Sequence, residues 1–337
     1  MKITSYYFFA FLILIVITSS CKKTASDGNT SNNNNNNNTN SRTGITVAGG
    51  NGFGSAANQF YGVASVFVDP SGNIYVGDNV NMRIQKWTPG ASSGTTVAGG
   101  NGTGPAANQF ESVAGIFVDG SGSVYIADAQ NNRIQKWNVG ASSGITVAGG
   151  NGEGDAANQL NLPTGIFVDV NGNVYISDEQ NSRVQKWNLG ASAGTTVAGG
   201  NGPGDGANQF IYPWDVSLDT SGNIYVSDPS NERIQKWAPG ASSGITVAGG
   251  NGCCHGTNQI DGAFFCLDNA GNIYIGEGER VQRWSPGATT GITVAGTILE
   301  GSEANQLSGA GDVFVDGTGN IFIADANNAR IQKWPAY

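Results

Sequence analysis

The chain has 337 residues, 52 of them Gly, with 39% hydrophobic residues, only 12% charged ones and a formal net charge of −9. That much apolar content permits a folded core, while the acidic balance argues against nucleic acid, whose phosphates need clustered Lys and Arg. One His in the whole sequence excludes a three-His metal site.

Residues 6–17 (YYFFAFLILIVI) form an unbroken apolar run just after Lys2. The run is shorter than the roughly 20 residues needed to span a bilayer and fits the apolar region of an export signal. Thr18, Ser19 and Ser20 follow, and then Cys21. This order resembles the lipobox of bacterial lipoproteins, with Thr18 standing where that family usually has Leu. The resemblance implies that residues 1–20 are a signal peptide and that Cys21 becomes the lipidated first residue of the mature chain. Two or more acyl chains would anchor it stably. The expected location is the bacterial cell envelope, on the periplasmic or cell-surface side, with the lipid as the sole membrane attachment. Ordinary cleavage near Ser20, leaving Cys21 free, is the alternative. Residues 22–43 (KKTASDGNTSNNNNNNNTNSRT) hold almost nothing apolar and read, together with Cys21, as a tether and flexible spacer.

A period of fifty residues governs the rest. TVAGGNG begins at Thr46, Thr96, Thr146, Thr196 and Thr246, and a degraded copy, TVAGT, begins at Thr293. Each unit holds four β-patterned runs separated by Gly, Ser, Asn and Pro. In the second unit they are residues 115–119, 124–127, 133–137 and 145–148. Six such units over residues 44–337 predict an all-β fold, a six-bladed β-propeller of four-stranded antiparallel blades. The chain opens on a TVAG strand and ends on an RIQKW strand, so residues 45–48 are expected to complete the last blade beside residues 330–334.

The run from Asn173 to Trp187 (NVYISDEQNSRVQKW), repeated in the other units, resembles the NHL repeat. WD repeats would need Gly-His and Trp-Asp dipeptides in register, and kelch repeats a closer Tyr–Trp spacing than Tyr75 to Trp87. Trp87, Trp137, Trp187, Trp237, Trp284 and Trp334 recur once per blade and read as packing.

Residues 1–43 carry Lys2, Lys22, Lys23 and Arg42 against Asp27, which leaves the propeller 12 basic and 24 acidic residues. All 12 basic residues belong to the six RxQKW-type strands. Each strand's Arg follows a nearby acid, as in Asp128/Arg133, with Glu277/Arg280 in blade five, and these pairs read as structural ties. Nucleic acid is therefore not an expected partner.

Function is sought where the copies differ. The loop entering the innermost strand and the turn between the second and third strands share the pore mouth in propellers. Blade four stands out, with Tyr212, Trp214 and Asp215 where its neighbours are read as having small residues; Asp312 is the matching acid in blade six, and Glu111 enters blade two. Aromatics with carboxylates at a pore mouth can hold a sugar, a peptide or a cation, or can simply plug the channel. Propeller lactonases hold calcium with Glu, Asn and Asp around the pore; Asp215 and Asp312 are the candidates for such a site here, with Glu111 the one Glu at a matching entry, and no other cofactor is expected. No Gly-x-Ser-x-Gly elbow, Ser/His/Asp set or phosphate loop is present. Blade five is the irregular copy and contains Cys253, Cys254, His255 and Cys266. Cys266 aligns with Phe67 inside an innermost strand, too far from Cys253 and Cys254 for a bridge, and reads as a small apolar filler. The expected protein is a lipid-anchored, monomeric, noncatalytic binding module for a protein, glycan or small ligand. A pore-centred calcium lactonase, another hydrolase or a lyase is the alternative.

Overall fold

The computed structural model describes residues 42–252 and 256–337. The signal-like segment, Cys21, the spacer before Arg42 and Cys253–Cys254–His255 lie outside them. Six antiparallel sheets of four strands follow one another along the chain. In blade two the strands are Val113–Val118, Val124–Asp128, Arg133–Trp137 and Ile145–Gly149, within two residues of the expected bounds. Alternating apolar runs make the strands, and turn glycines stop them; Gly122 and Gly140 sit at φ +82 and +76, where a side chain would be strained. Innermost strands touch in sequence around a closed ring, so that Val63–Val68 in blade one also meets Ala310–Val315 in blade six.

The ring is sealed as the chain ends predict. Ile45–Gly49 pairs antiparallel with Arg330–Trp334, with Ile45 opposite Lys333 and Gly49 opposite Arg330. The first and last strands of the ring therefore lie in one sheet, which gives blade six the four strands its neighbours have.

The core lies between blades. The second strands, such as Ile74–Asp78 and Val124–Asp128, are buried along their whole length. The six repeated Trp are 0–3% exposed, and each donates its Nε1–H to the Gln two residues earlier, as Trp137 does to Gln135 at 2.8 Å. Burying a side chain of this size stabilises the fold by roughly 1.5–3 kcal/mol, so the Trp ring is scaffold.

The repeated Arg is fully occupied. Arg133 donates Nε–H to Asp128 at 2.8 Å and its terminal N–H groups to the carbonyls of Pro105, Ala106 and Gln109 at 2.7–3.0 Å. Asp128 also accepts the N–H of Glu111 and the side-chain amide of Asn131 at 2.9 and 2.8 Å. One ion pair thus fastens the entry loop to its own blade. The same pair recurs in every blade at 2.6–2.9 Å, with Glu277 replacing the aspartate in blade five. The Lys of each strand lies 4.8–5.4 Å over the Tyr or Phe opposite, and Arg283 lies 4.8 Å over Tyr337.

Candidate functional site: the channel at blades four and five

Entry loops and the turns between second and third strands do meet at one end of the ring. Ala129 donates its N–H to the carbonyl of Ser112 at 3.2 Å, and Gln180 to that of Asn161 at 3.2 Å. From this mouth the innermost strands run to the opposite base, and residues two apart face the channel in successive layers.

The deeper layer is an arc of four phenylalanines. Phe314 and Phe67 have ring centroids 4.8 Å apart, Phe67 and Phe117 5.2 Å, and Phe117 and Phe167 5.4 Å. In blades four and five the same position holds Ser217 and Cys266, so the arc stops there. Cys266 is a free, half-buried thiol that packs against the apolar cluster of blades five and six, in keeping with its reading as a small apolar filler.

The layer above carries Asp215, Phe264 and Asp312, while blades two and three have Gly115 and Gly165. The two acids are built alike. Asp215 accepts the N–H of Val216 at 2.8 Å and that of Phe265, in blade five, at 3.2 Å. Asp312 accepts the N–H of Val313 at 2.8 Å and that of Val66, in blade one, at 2.8 Å. Each carboxyl therefore ties its own innermost strand to the next one around the ring. Burial pushes Asp215 up to about 7, against the two N–H groups that favour its charge. Burial and then repulsion from Asp215 carry Asp312 well above the usual carboxylate range. The Cys266 thiol is raised by burial first, then by Asp312, and less by Asp215, so both carboxyls bear on the gap in the phenylalanine arc. Gly165 is needed beneath: a Cβ there would lie 2.6 Å from Asp215 Oδ1.

The innermost strands shorten here to Val216–Leu218 and Phe265–Leu267, against six residues in the other four blades. Ser227 joins the two blades instead, its hydroxyl accepting the N–H of Asp215 at 2.8 Å and donating to the carbonyl of Ala263 at 2.6 Å. Trp214 is held by its carbonyl, which accepts the N–H of Gly165 at 2.8 Å and the hydroxyl of Thr164 at 2.5 Å. Its indole meets Phe264 edge-on, with centroids 5.8 Å apart.

Tyr212 is 43% exposed at the mouth with φ +55, a left-handed conformation. Blades one and six place Gly62 and Gly309 at this position, at φ +81 and +66, while Leu162 of blade three shares the left-handed conformation at φ +51. Holding a tyrosine there costs about 1–2 kcal/mol of backbone strain, a pattern associated with functional positions. Glu179 is a further residue of this mouth. In blade one, Asn79 stands at its position and accepts the N–H of Val113 from blade two at 2.7 Å. The residue matching Val113 in blade four is Pro213, which has no N–H to give. Glu179 accepts only the Gln180 side-chain amide, at 3.0 Å, and burial pushes it up to about 7.

The sequence candidates therefore separate. Tyr212, Trp214 and Asp215 stand together on blade four, and Asp312 bears on Asp215 from blade six. Glu111 stands exposed at the entry to blade two. The calcium reading lacks a ligand set: among the described residues, no group of three or more His, Cys, Asp or Glu side chains is placed to hold a metal ion.

The NHL repeat family model matches residues 160–187 and 210–237, the strands and turns of blades three and four. Blades three and four are thus NHL repeats within a six-bladed propeller. Curated protein sequences gave no match. Among solved structures, this NHL-repeat propeller is similar to a Bacteroides thetaiotaomicron protein of unknown function, with TM-score 0.64 and 15% identity over 87% of this chain and 76% of that one. An auxiliary nutrient binding protein from the same organism has TM-score 0.63 and 14% identity, over 86% of this chain and 75% of that one. A gluconolactonase from Xanthomonas campestris has TM-score 0.61 and 15% identity, over 82% and 86%. At these identities the likenesses show the fold alone.

Proposed function

We propose that this NHL-repeat propeller is a noncatalytic binding module of the bacterial cell envelope, and that it receives its ligand at the channel mouth beside blades three to five. One observation carries the reading. The repeat is broken on the channel side of blades four and five, where Trp214 meets Phe264 edge-on, Asp215 binds the N–H of Phe265 and Tyr212 stands exposed at the mouth. Everywhere else the chemically conspicuous residues are tied into scaffold. A strained, exposed Tyr212 in place of glycine is expected of a residue kept for what its ring touches. The likeness to a nutrient-binding protein agrees with this role, and the lipobox-like run ending at Cys21 supports the envelope.

Residues 42–44 enter the ring at its base, where Ile45 pairs with Lys333, the end opposite the mouth. A lactone hydrolase is the second reading, favoured by the likeness to a gluconolactonase and by the paired channel acids. Glycan and peptide arrays probed with the protein, alongside a lactone-hydrolysis assay, separate the two. Binding without turnover supports the module; lactone turnover lost on Asp215→Asn, with no array binding, overturns it.

A further inference from the structure

The gap at Ser217 and Cys266 has a shape and a charge. Four phenyl rings in mutual contact line the channel from blade six through blade three, and two adjacent blades substitute side chains lacking a ring. The ring of phenyl groups is therefore left incomplete on one side of the channel, at Ser217 and Cys266. Above this gap stand Asp215 and Asp312, with Trp214 and Phe264 beside them. Among the described residues neither acid meets a cation. The 12 basic residues of the blades are committed elsewhere, the Arg of each turn to a carboxylate and the remaining six to aromatic faces. Two half-buried carboxyls without a counter-ion hold their protons in the empty site, and a cationic ligand, by favouring their ionised form, is bound in preference to an anionic one. Aromatic faces nearby add attraction for a cation.

We infer that this gap is a binding site for a small organic amine, whose apolar end completes the phenylalanine ring at Ser217 and Cys266 and whose ammonium group lies beneath Asp215 and Asp312. The inference rests on the binding-module reading and names the ligand class of that site. An ammonium group placed there favours the ionised carboxyls that burial otherwise opposes. A neutral sugar would leave the acids protonated, and a carboxylate would oppose their ionisation further.

Cys266 offers a reporter inside the site. The full chain with Cys21→Ser, Cys253→Ser and Cys254→Ser retains it as the one thiol. Its rate of reaction with 2-aminoethyl methanethiosulfonate is compared with that of the anionic 2-sulfonatoethyl reagent, each normalised to glutathione. The cationic reagent should be favoured by at least about tenfold, since one charge–charge contact in a partly buried site is worth more than 1.4 kcal/mol. That preference should collapse in Asp215→Asn/Asp312→Asn. Phenethylamine should protect Cys266 where phenylacetate and benzyl alcohol do not. Cys266→Phe, in the otherwise unaltered chain, rebuilds part of the ring and should abolish phenethylamine binding by calorimetry while the unfolding midpoint holds, which covers the case of a double variant that does not fold. Failure of phenethylamine to protect, or a cationic preference that survives loss of both acids, overturns the inference. Protection by phenylacetate or benzyl alcohol alone overturns the amine while leaving the binding-module reading standing.

Discussion

Replacing Glu179 with Gln should make the protein more stable at alkaline pH and leave it nearly unchanged in mild acid. In the unfolded chain this carboxyl ionises near 4.5, and in the folded protein burial pushes it up to about 7. Between those values the folded state holds a proton that the unfolded state has lost, so stability falls as pH rises. A gap of roughly 2.5 pH units corresponds to about 3 kcal/mol, fully developed only above pH 7 and below about 1 kcal/mol at pH 5. Gln keeps the acceptor oxygen that meets the Gln180 amide at 3.0 Å and never ionises. Urea unfolding followed by Trp fluorescence at pH 5 and pH 8.5 measures the difference. The variant should gain up to about 3 kcal/mol at pH 8.5, with an unchanged denaturant slope. Asp215 and Glu277, pushed up to about 7 and about 8, give the wild type a slope of the same sign. Asp119, Asp219 and Asp316 are lowered, so their stabilisation is lost only as pH falls below about 3.8 and does not mask the trend. A Glu179→Gln protein no more stable than wild type at pH 8.5 would refute the reasoning.

Arg133→Met strands Asp128, buried and stripped of its ion pair, and should cost about 3–5 kcal/mol in urea unfolding at neutral pH. Tyr212→Gly should raise stability by about 1 kcal/mol, because it relieves a left-handed φ of +55, and should weaken ligand binding, a split that a merely structural tyrosine would not give. Gly165→Ala places a methyl 2.6 Å from Asp215 Oδ1; it should destabilise by about 1–3 kcal/mol and lower binding through displacement of Asp215.

What the sequence makes legible is what repeats. The closing strand, the acid–Arg ties and the packing role of the six Trp all follow from identical residues at identical phase, and the structure bears each of them out. The phase also picked out Tyr212, Trp214, Asp215 and Asp312 as departures. It did not show that each Asp binds the next blade, because that contact joins residues 50 or 246 positions apart. Glu179 escaped notice for a related reason: its significance depends on Pro213, a residue without an N–H in the neighbouring blade. Cys266 aligned with Phe67, but only the ring contacts reveal that this position faces the channel. Glu111 occupies the right loop of its own blade and stays exposed, since a residue's place in the repeat fixes its height on the ring but not where its side chain goes.

The central claim is that the break in the repeat at blades four and five forms a site that binds without catalysis. Incubating the protein with each compound it retains, and recovering that compound for mass spectrometry, tests this most directly, with Trp214→Ala/Asp215→Asn run beside the wild type. The wild type should return its ligand chemically unchanged, and the variant should bind it at least about tenfold more weakly, the equivalent of 1.4 kcal/mol. Equal retention by the variant, or recovery of a converted product from the wild type alone, would contradict the account.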